Sequence, residues 1–379
     1  MDAEASLGAI IRAKGAELLA NHSTTPAQRK VMRSIADCRT PALGGHRDHC
    51  DRCSFEHVFW NSCRDRHCPG CGSEARQHWL VARREELLDV PYFHAVFTIP
   101  ECLNALALYA PEVVYPILLR AAGHALLDLG ATKLRARLGI LTVLHTWGQT
   151  LPFHPHVHCV VPGGGFSLDG RRWVRVRKVS FLFAVKALSR RFRTLFCNAI
   201  REAFAEGLLA AVAEIVTDAT ALDLLIAQAH KTDWHSYVKP PFSGPEQVLA
   251  YLAAYTHRIA ISNRRILAFD GQRVTFSYRD YAEGNTQKTM TLDAVEFIRR
   301  FLLHVVPTGF TRIRYYGFLA NRDRTANIER ARVLIGSTRK LRPPAPAPDP
   351  RLCPQCHQGT LRRLAPVDPQ CHRTWFDSS

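Results

Sequence analysis

The stretch LGILTVLHTWGQTLPFHPHVHCVVPGGG, residues 138–165, decides the fold. Two runs rich in apolar and β-branched residues, LGILTVLHTW (138–147) and HVHCVV (156–161), flank a turn containing Pro152, and Gly163, Gly164 and Gly165 end the second run. That pattern predicts two strands joined as a hairpin. Side chains alternate across a strand, so His156 and His158 share a face. Two imidazoles placed this way grip one divalent cation. Two ligands are too few for tight placement, so a third protein group is expected. His145, a short path across the hairpin, is the tentative third ligand; Gln149 in the turn and His154 just upstream are the alternatives. The competing reading is a pair of edge-strand histidines with no ion.

About a hundred residues on, the chain reads YLAAYTHRIAISNRR (251–265). Ser243-Gly244-Pro245-Glu246 has the form of a capping box, which predicts a helix running to about His257. Tyr251 and Tyr255, four apart, then lie on one helical face. A phenol, with an ordinary pKa of about 10, is a poor nucleophile in water. Beside a cation and basic side chains its phenolate becomes accessible. Attack on a phosphodiester frees a 3′-hydroxyl, leaves a 5′-phosphotyrosine and conserves the bond for later resealing. A second tyrosine one turn away permits a second strand transfer. The alternative is core packing, with Val248, Leu252 and Ile259 as the buried stripe and Tyr255 at its border. His257-Arg258 and Arg264-Arg265 favour phosphate chemistry.

The chain has 379 residues, 47% hydrophobic and 22% charged, ordinary for a globular protein. Its 50 Lys+Arg against 33 Asp+Glu give a net charge of +17. That excess favours a polyanionic partner, with nucleic acid the default. No run of about eighteen apolar residues marks a membrane span. The beginning, MDAEASLGAIIRAKG, lacks a signal pattern, so a cytosolic protein, associated with the nucleoid when on DNA, is expected.

Six of the 12 cysteines fall between Cys38 and Cys71 and three between Cys353 and Cys371. Pairing as C-x-x-C in a cytosolic chain argues for metal rather than disulfides. Cys50-x-x-Cys53 and Cys68-x-x-Cys71, separated by 14 residues, are read as the four thiolates of one structural Zn²⁺. Cys38, His46, His49, Cys63 and His67 are further candidates, for a replaced ligand or a second ion. Arg47, Arg52, Arg64 and Arg66 give this unit positive charge suited to phosphate contact. Cys353 and Cys356 with Cys371 and His372 form a weaker candidate site.

Elsewhere the pattern predicts helices over 5–20, 26–36, 76–89, 111–129, 180–230 and 292–304. It predicts strands at 92–99 and 311–318 and a hairpin around Asp270-Gly271. PPAPAPDP (343–350) reads as a stiff linker. Three units are expected: 1–90, helices and a small metal-organised domain; 91–340, the domain carrying the histidines and tyrosines; 341–379, linker and short Cys-containing tail. Trp147, Tyr278 and Tyr315 are candidates for stacking on unpaired bases or for the core.

ALGGHRDHCDRC, NSCRDRHCPGC, HTWGQTLPFHPHVHCVVPGGG, YLAAYTHRIAISNRR and RYYGFLANR together resemble the IS91-family transposases, two-tyrosine members of the HUH endonucleases. The resemblance spans about 42–336. It implies an α+β fold: an HUH-type antiparallel sheet flanked by helices, preceded by a small helical and zinc-ribbon domain. It implies a transposase that nicks and rejoins single strands in rolling-circle-like fashion, acting on single-stranded DNA at element ends and on target DNA. Its cofactors would be catalytic Mg²⁺ or Mn²⁺ and structural Zn²⁺. By this likeness His156 and His158 match the metal pair, Tyr251 and Tyr255 the tyrosine pair, and Cys50, Cys53, Cys68 and Cys71 the zinc ribbon. Asn263, Asn321 and Arg322 lie in matching motifs, where positioning DNA and shaping turns stay open. The competing functions are a plasmid replication initiator or relaxase, a non-catalytic zinc-dependent DNA-binding protein, and a zinc hydrolase. The hydrolase lacks an H-E-x-x-H or carboxylate-rich site.

Overall fold

A computed structural model describes residues 5–71, 80, 83–178, 181–232, 234–239, 247–248, 260–281, 283–337 and 351–370. Its strands are β1 (Gly45–Cys50), β2 (Glu56–Trp60), β3 (Tyr92–Thr98), β4 (Ala136–Arg137), β5 (Gly139–Trp147), β6 (Phe153–Pro162), β7 (Gly164–Ser167), β8 (Trp173–Arg175), β9 (Ser236–Lys239), β10 (Ile266–Phe269), β11 (Arg273–Asp280), β12 (Thr286–Asp293), β13 (Ile313–Gly317) and β14 (Leu361–Val367). The fold is α+β, as expected.

The central sheet has five strands in the order β13-β5-β6-β3-β9, every neighbouring pair antiparallel. Period-two alternation divides it into two unlike faces. One face carries Phe93, Ala95, Phe97, Ile140, Leu144, Val157, Cys159 and Val161, all in the main core. The helices Pro111–Leu129 and Val185–Ala205 supply the other half of that core through residues such as Leu118, Leu126, Phe192 and Phe196. The first of these is long and apolar enough to cross a bilayer by composition, yet it is the core helix under this sheet. Its Gly123 permits the close approach, because a Cβ there would lie 2.7 Å from the Tyr316 ring. The opposite face carries His94, Val143, His145, His156, His158 and Val160.

Two N-terminal helices, α1 (Leu7–Asn21) and α2 (Pro26–Asp37), are well capped. The Ser6 hydroxyl accepts from the Ala9 amide at 3.2 Å. Thr25 and Gln28 form a reciprocal capping box. The apolar residues Ile10, Ile11, Met32 and Ile35 share a core with Trp147, Leu151, Phe276, Phe297 and Phe301. The N-terminal helices thus bury their faces against the β10-β11-β12 sheet and the helix Ala294–Leu302. The C-terminal piece also folds back: β14 pairs with β1, so the third sheet runs β14-β1-β2. A small sheet, β4-β7-β8, completes the set.

The predicted elements at 5–20, 26–36, 92–99, 111–129, 138–147, 156–161, 266–280 and 292–304 are present within a few residues, and the 180–230 region is two helices, Val185–Ala205 and Ala219–Lys231. The sequence reading missed β1, β2, β4, β7, β8, β9, β12, β14 and the helices Asn104–Tyr109 and Arg324–Ile335. β12, TQKTMTLD, is solvent-facing along most of its length and carries only Met290 and Leu292 as an apolar signal. Most of the predicted helices at 243–257 and 76–89, and the linker 343–350, lie outside the described residues.

His304 is buried at the junction of the two larger cores. Its Nδ1 lies 3.3 Å from the Thr146 hydroxyl and its Nε2 3.3 Å from the Leu151 carbonyl. Burial pushes its pKa down to about 3, below the unfolded value of 6.5. The unfolded chain therefore binds a proton that the folded chain refuses. The stability this represents is complete above pH 6.5 and is lost as pH falls towards 3. At pH 5 the loss is about 2 kcal/mol relative to neutral pH. In urea titrations His304→Gln is expected to lose about 2 kcal/mol less than the parent between pH 7 and 5. Equal losses would contradict a neutral buried imidazole.

Candidate functional site

The β5–β6 register places His145 directly opposite His156 and Val143 opposite His158. Side chains opposite one another in an antiparallel pair share a face with Cβ atoms about 5 Å apart. The three imidazoles therefore converge. His156 Nε2 and His158 Nε2 are 3.1 Å apart, and the His145 ring centre is 4.5 Å from that of His158. One ring nitrogen from each histidine lies within 4.8 Å of the other two. Two nitrogens bound to one cation at ~2.1 Å and roughly 90° sit about 3 Å apart, so the spacing fits a shared ion. Imidazole is a softer donor than carboxylate or water, which favours Mn²⁺ over Mg²⁺ at this site. His154, one alternative third ligand, is not in the cluster, and Gln149, the other, lines the same cleft.

The outer groups orient the rings. His156 Nδ1 donates to the His154 carbonyl at 2.7 Å, which leaves its Nε2 lone pair for a cation. His158 Nδ1 lies 2.9 Å from Nε2 of His94, a β3 residue only 1% exposed. Burial, with the charges of Lys239 and His156, pushes the His94 pKa down to about 3. The His145 ring stacks on Trp147 at 4.6 Å. His94 was missed from the sequence. Its strand was recognised, but the pairing of Val96 with His158, which makes His94 a diagonal neighbour, has no sequence signal.

The histidines open into a cleft of about 770 Å³. Tyr237 and Lys239 of β9 and the stretch Tyr278–Tyr281 at the end of β11 form its other walls. Gln149 joins the β5–β6 turn to that wall: its Nε2 donates to the Tyr281 hydroxyl at 3.1 Å, and the Arg265 guanidinium donates to its carbonyl at 2.5 Å. Of the stacking candidates, Tyr278 lines the cleft and Trp147 is buried beside His145. Tyr315 lies under the Arg324 guanidinium, 4.5 Å from the ring centre, and receives a hydrogen bond from Arg83 at 2.9 Å, which is a packing role. The Asn263 side chain accepts from the Leu7 amide at 3.3 Å, and that of Asn321 from Arg324 at 3.0 Å; Arg322 is exposed.

Tyr251 and Tyr255 lie outside the described residues. The chain on either side of them is placed. Val248 is fully buried in a cluster with Leu141, Val143 and Val160, on the histidine face of the sheet. Ala260 and Ile261 are buried in the cluster that holds Trp147 and Leu151.

Among the described residues the cysteines form two four-sulfur sites, but with a different partition from the one expected. Cys68 and Cys71 join Cys38 and Cys63, whereas Cys50 and Cys53 join Cys353 and Cys356. The single Cys50-Cys53-Cys68-Cys71 tetrahedron is thus corrected. The reason is topological: β1 and β2 carry the first knuckle away from the second, and the C-terminal knuckle is brought to it by β14. Cys371 and His372 lie outside the described residues. In the first cluster Cys71 Sγ is 3.4 Å from Cys38 Sγ and 3.6 Å from Cys63 Sγ. Four thiolates on one Zn²⁺ at ~2.3 Å stand about 3.8 Å apart, and a disulfide needs about 2 Å, so the donors fit zinc. His46, His49 and His67 are not in either cluster. His67 instead pairs with Asp65 at 3.0 Å and accepts from the Val306 amide at 3.3 Å, docking this module on the rest of the chain. Arg66 adds hydrogen bonds to the Phe310 carbonyl, while Arg47, Arg52 and Arg64 are exposed.

Residues 139–326 match a family described as "Putative transposase", and residues 10–99 match the IS91-type "Transposase zinc-binding domain". The chain is similar to "Putative transposase y4qJ" of Sinorhizobium fredii (strain NBRC 101917 / NGR234), 45% identical over 96% of this chain and 97% of the relative. It is also similar to "Transposase for insertion sequence element IS801" of Pseudomonas savastanoi pv. phaseolicola, 30% identical over 81% of this chain and 74% of the relative. No solved structure matches it.

Cys68 is 2% exposed and shares a core with Val31 and Ile35, so loss of the first zinc should loosen α2 as well as the knuckle. Cys63→Ser is expected to lower the bound zinc by one equivalent and to lower the thermal midpoint. Metal analysis with a circular-dichroism melt checks both; full zinc retention would contradict the assignment of Cys63 as a ligand.

Proposed function

The chain belongs to the IS91-type transposase family, and from that premise we propose that it nicks and rejoins single-stranded DNA through a 5′-phosphotyrosine intermediate. Tyr251 and Tyr255 are the proposed nucleophiles. His145, His156 and His158 are the proposed ligands of a catalytic Mn²⁺ or Mg²⁺. When bound there, such an ion supplies Lewis-acid polarisation of a non-bridging phosphate oxygen.

One observation carries this reading. Val248 and Ala260, the described residues that flank the stretch containing both tyrosines, each pack near the histidines. Val248 packs with Val143, whose strand partner is His158, and Ala260 packs in the cluster of Trp147, which lines the histidine cleft. An extended chain spans at most about 3.6 Å per residue, so the Tyr251 Cα lies within about 11 Å of that of Val248. That bound is compatible with the proposed contact between a phenol and a phosphate in the cleft.

The chemistry then follows from these groups. The tyrosine hydroxyl gives up its proton and its oxygen forms a bond to phosphorus. The bond from phosphorus to the 3′ oxygen breaks, and that oxygen takes the electron pair and a proton. Attack by another 3′-hydroxyl reverses the step and frees the tyrosine. Lys239 and Arg279 in the cleft offset the phosphate charge. His94 positions His158, and the His154 carbonyl positions His156.

The direct test is a labelled single-stranded oligonucleotide of the element end, incubated with Mn²⁺. A covalent adduct is expected on the peptide containing Tyr251 or Tyr255 in mass spectrometry. Tyr251→Phe with Tyr255→Phe should abolish the adduct and leave DNA binding intact. Undiminished cleavage by that double variant would sink tyrosine attack. Transfer of the cleaved end to a second DNA separates strand transfer from the simple origin nicking of a replication initiator. For the metal, His94→Ala is expected to weaken Mn²⁺ affinity about 10–100-fold by titration calorimetry, as loss of an outer-sphere partner does elsewhere. Unchanged affinity would remove His94 from the site.

A further inference from the structure

The zinc-binding match ends at residue 99, and the cluster of Cys50, Cys53, Cys353 and Cys356 draws half its donors from the far end of the chain. We propose that these four cysteines hold a second zinc ion, which clamps the C-terminal strand onto the N-terminal sheet and completes an arginine-lined groove for a DNA backbone.

The donor geometry fits the ion. Cys50 Sγ to Cys356 Sγ and Cys53 Sγ to Cys353 Sγ are each 3.7 Å. That is the edge of a tetrahedron of sulfurs about a zinc at ~2.3 Å and far too long for a disulfide. Each knuckle also aims a backbone N–H at a sulfur: Arg52 donates to Cys50 and Gly359 to Cys356, both at 3.3 Å. Such donors stabilise the thiolate over the thiol. Cys50 and Cys353 are 3% and 0% exposed. The two knuckles fit closely, because a Cβ on Gly359 would lie 2.3 Å from Cys50 Sγ.

The apolar cluster around this site is small: among the described residues Leu361 is its one buried side chain besides the cysteines. So small a core does not by itself order the segment 351–370; units of this size rely on a metal or a similar staple. With the segment in place, β14 pairs along the whole of β1, from Cys50 with Leu361 to Gly45 with Val367. The Asp51 carboxylate then receives the Thr360 amide at 2.8 Å and Arg362 at 3.3 Å.

This docking forms a cavity of about 830 Å³. Arg39 and Arg64 line it from the N-terminal side and Arg351 and Arg363 from the C-terminal side, with Trp60 on the wall and Asp48 as the acidic residue. Four guanidinium groups around one groove suit phosphate oxygens, and an indole beside them suits a base face. Half of that charge is absent unless the C-terminal strand is docked. The choice of DNA as the groove's occupant rests on the function proposed above; the ion does not.

The test counts zinc in the full chain carrying His156→Ala and His158→Ala, which removes the histidine cluster from the count. Two equivalents are expected, falling to one with Cys353→Ser plus Cys356→Ser. A single equivalent at the outset, or two retained after those changes, overturns the clamp. Should the serine variant aggregate, cobalt substitution of the parent decides: charge-transfer absorption for eight thiolates supports the clamp and for four refutes it. The groove is tested with Arg351→Gln plus Arg363→Gln and a fluorescent single-stranded oligonucleotide. The variant should keep both zincs, and its log-affinity against log-salt slope should be shallower by about 1.4, two phosphate contacts at about 0.7 each. An unchanged slope overturns the groove, and binding data of this kind stand whether or not cleavage by tyrosine is found.

Discussion

The pairing of β5 with β6 in the one register that sets His145 against His156 is the constraint on which the site depends. A slip of a single residue would turn the imidazoles of one strand into the helix-packed core and its apolar residues out to the cleft. The register is held by the unlike faces of the sheet. Ile140, Leu144, Val157 and Cys159 must meet the helices Pro111–Leu129 and Val185–Ala205, and the histidines are left on the opposite face. The same apolar burial that stabilises the sheet therefore sets the distance between the proposed ligands. The pairing register shifts between His145 and Trp147, just before the turn begins.

Around this pair the fold assembles in layers. β3 brings His94 behind His158, and β9 brings Lys239 and Tyr237 to the edge of the cleft. The β10-β11-β12 sheet closes the far side through Gln149 and Arg265, and it rests on α1 and α2. The first cysteine cluster stiffens the end of α2, and His67 and Arg66 tie its loop to residues 306–310. Among the described residues the cluster of three imidazoles includes no carboxylate, so it adds no negative charge of its own. It leaves the charge of a bound cation to be met by a polyanion, in keeping with the excess of basic residues along the chain.

The parts legible in the sequence were those with short period. His156 and His158 announce themselves by spacing two on a strand, whereas His145 is one of three candidates until the register pairs it with His156. The long core helix and the two N-terminal helices carry apolar periodicity and capping residues that can be read directly. What could not be read was set by pairing between distant segments. His94 supports His158 only because β3 lies beside β6. Cys50 and Cys53 have C-x-x-C spacing whichever partner they take, and nothing local says that the partner is Cys353 and Cys356 rather than Cys68 and Cys71. β12 and β9 are short of apolar residues because they are edge strands of their sheets, so alternation is faint there.

The central claim is that three imidazoles, from residues 145, 156 and 158, meet on one cation. Pulsed electron paramagnetic resonance of Mn²⁺ bound to the full chain counts coordinated histidine nitrogens directly. Three are predicted in the parent and two in His145→Ala, with affinity reduced. A count of none or one in the parent, or a count unchanged by removing His145, would contradict the convergence of these strands on a metal.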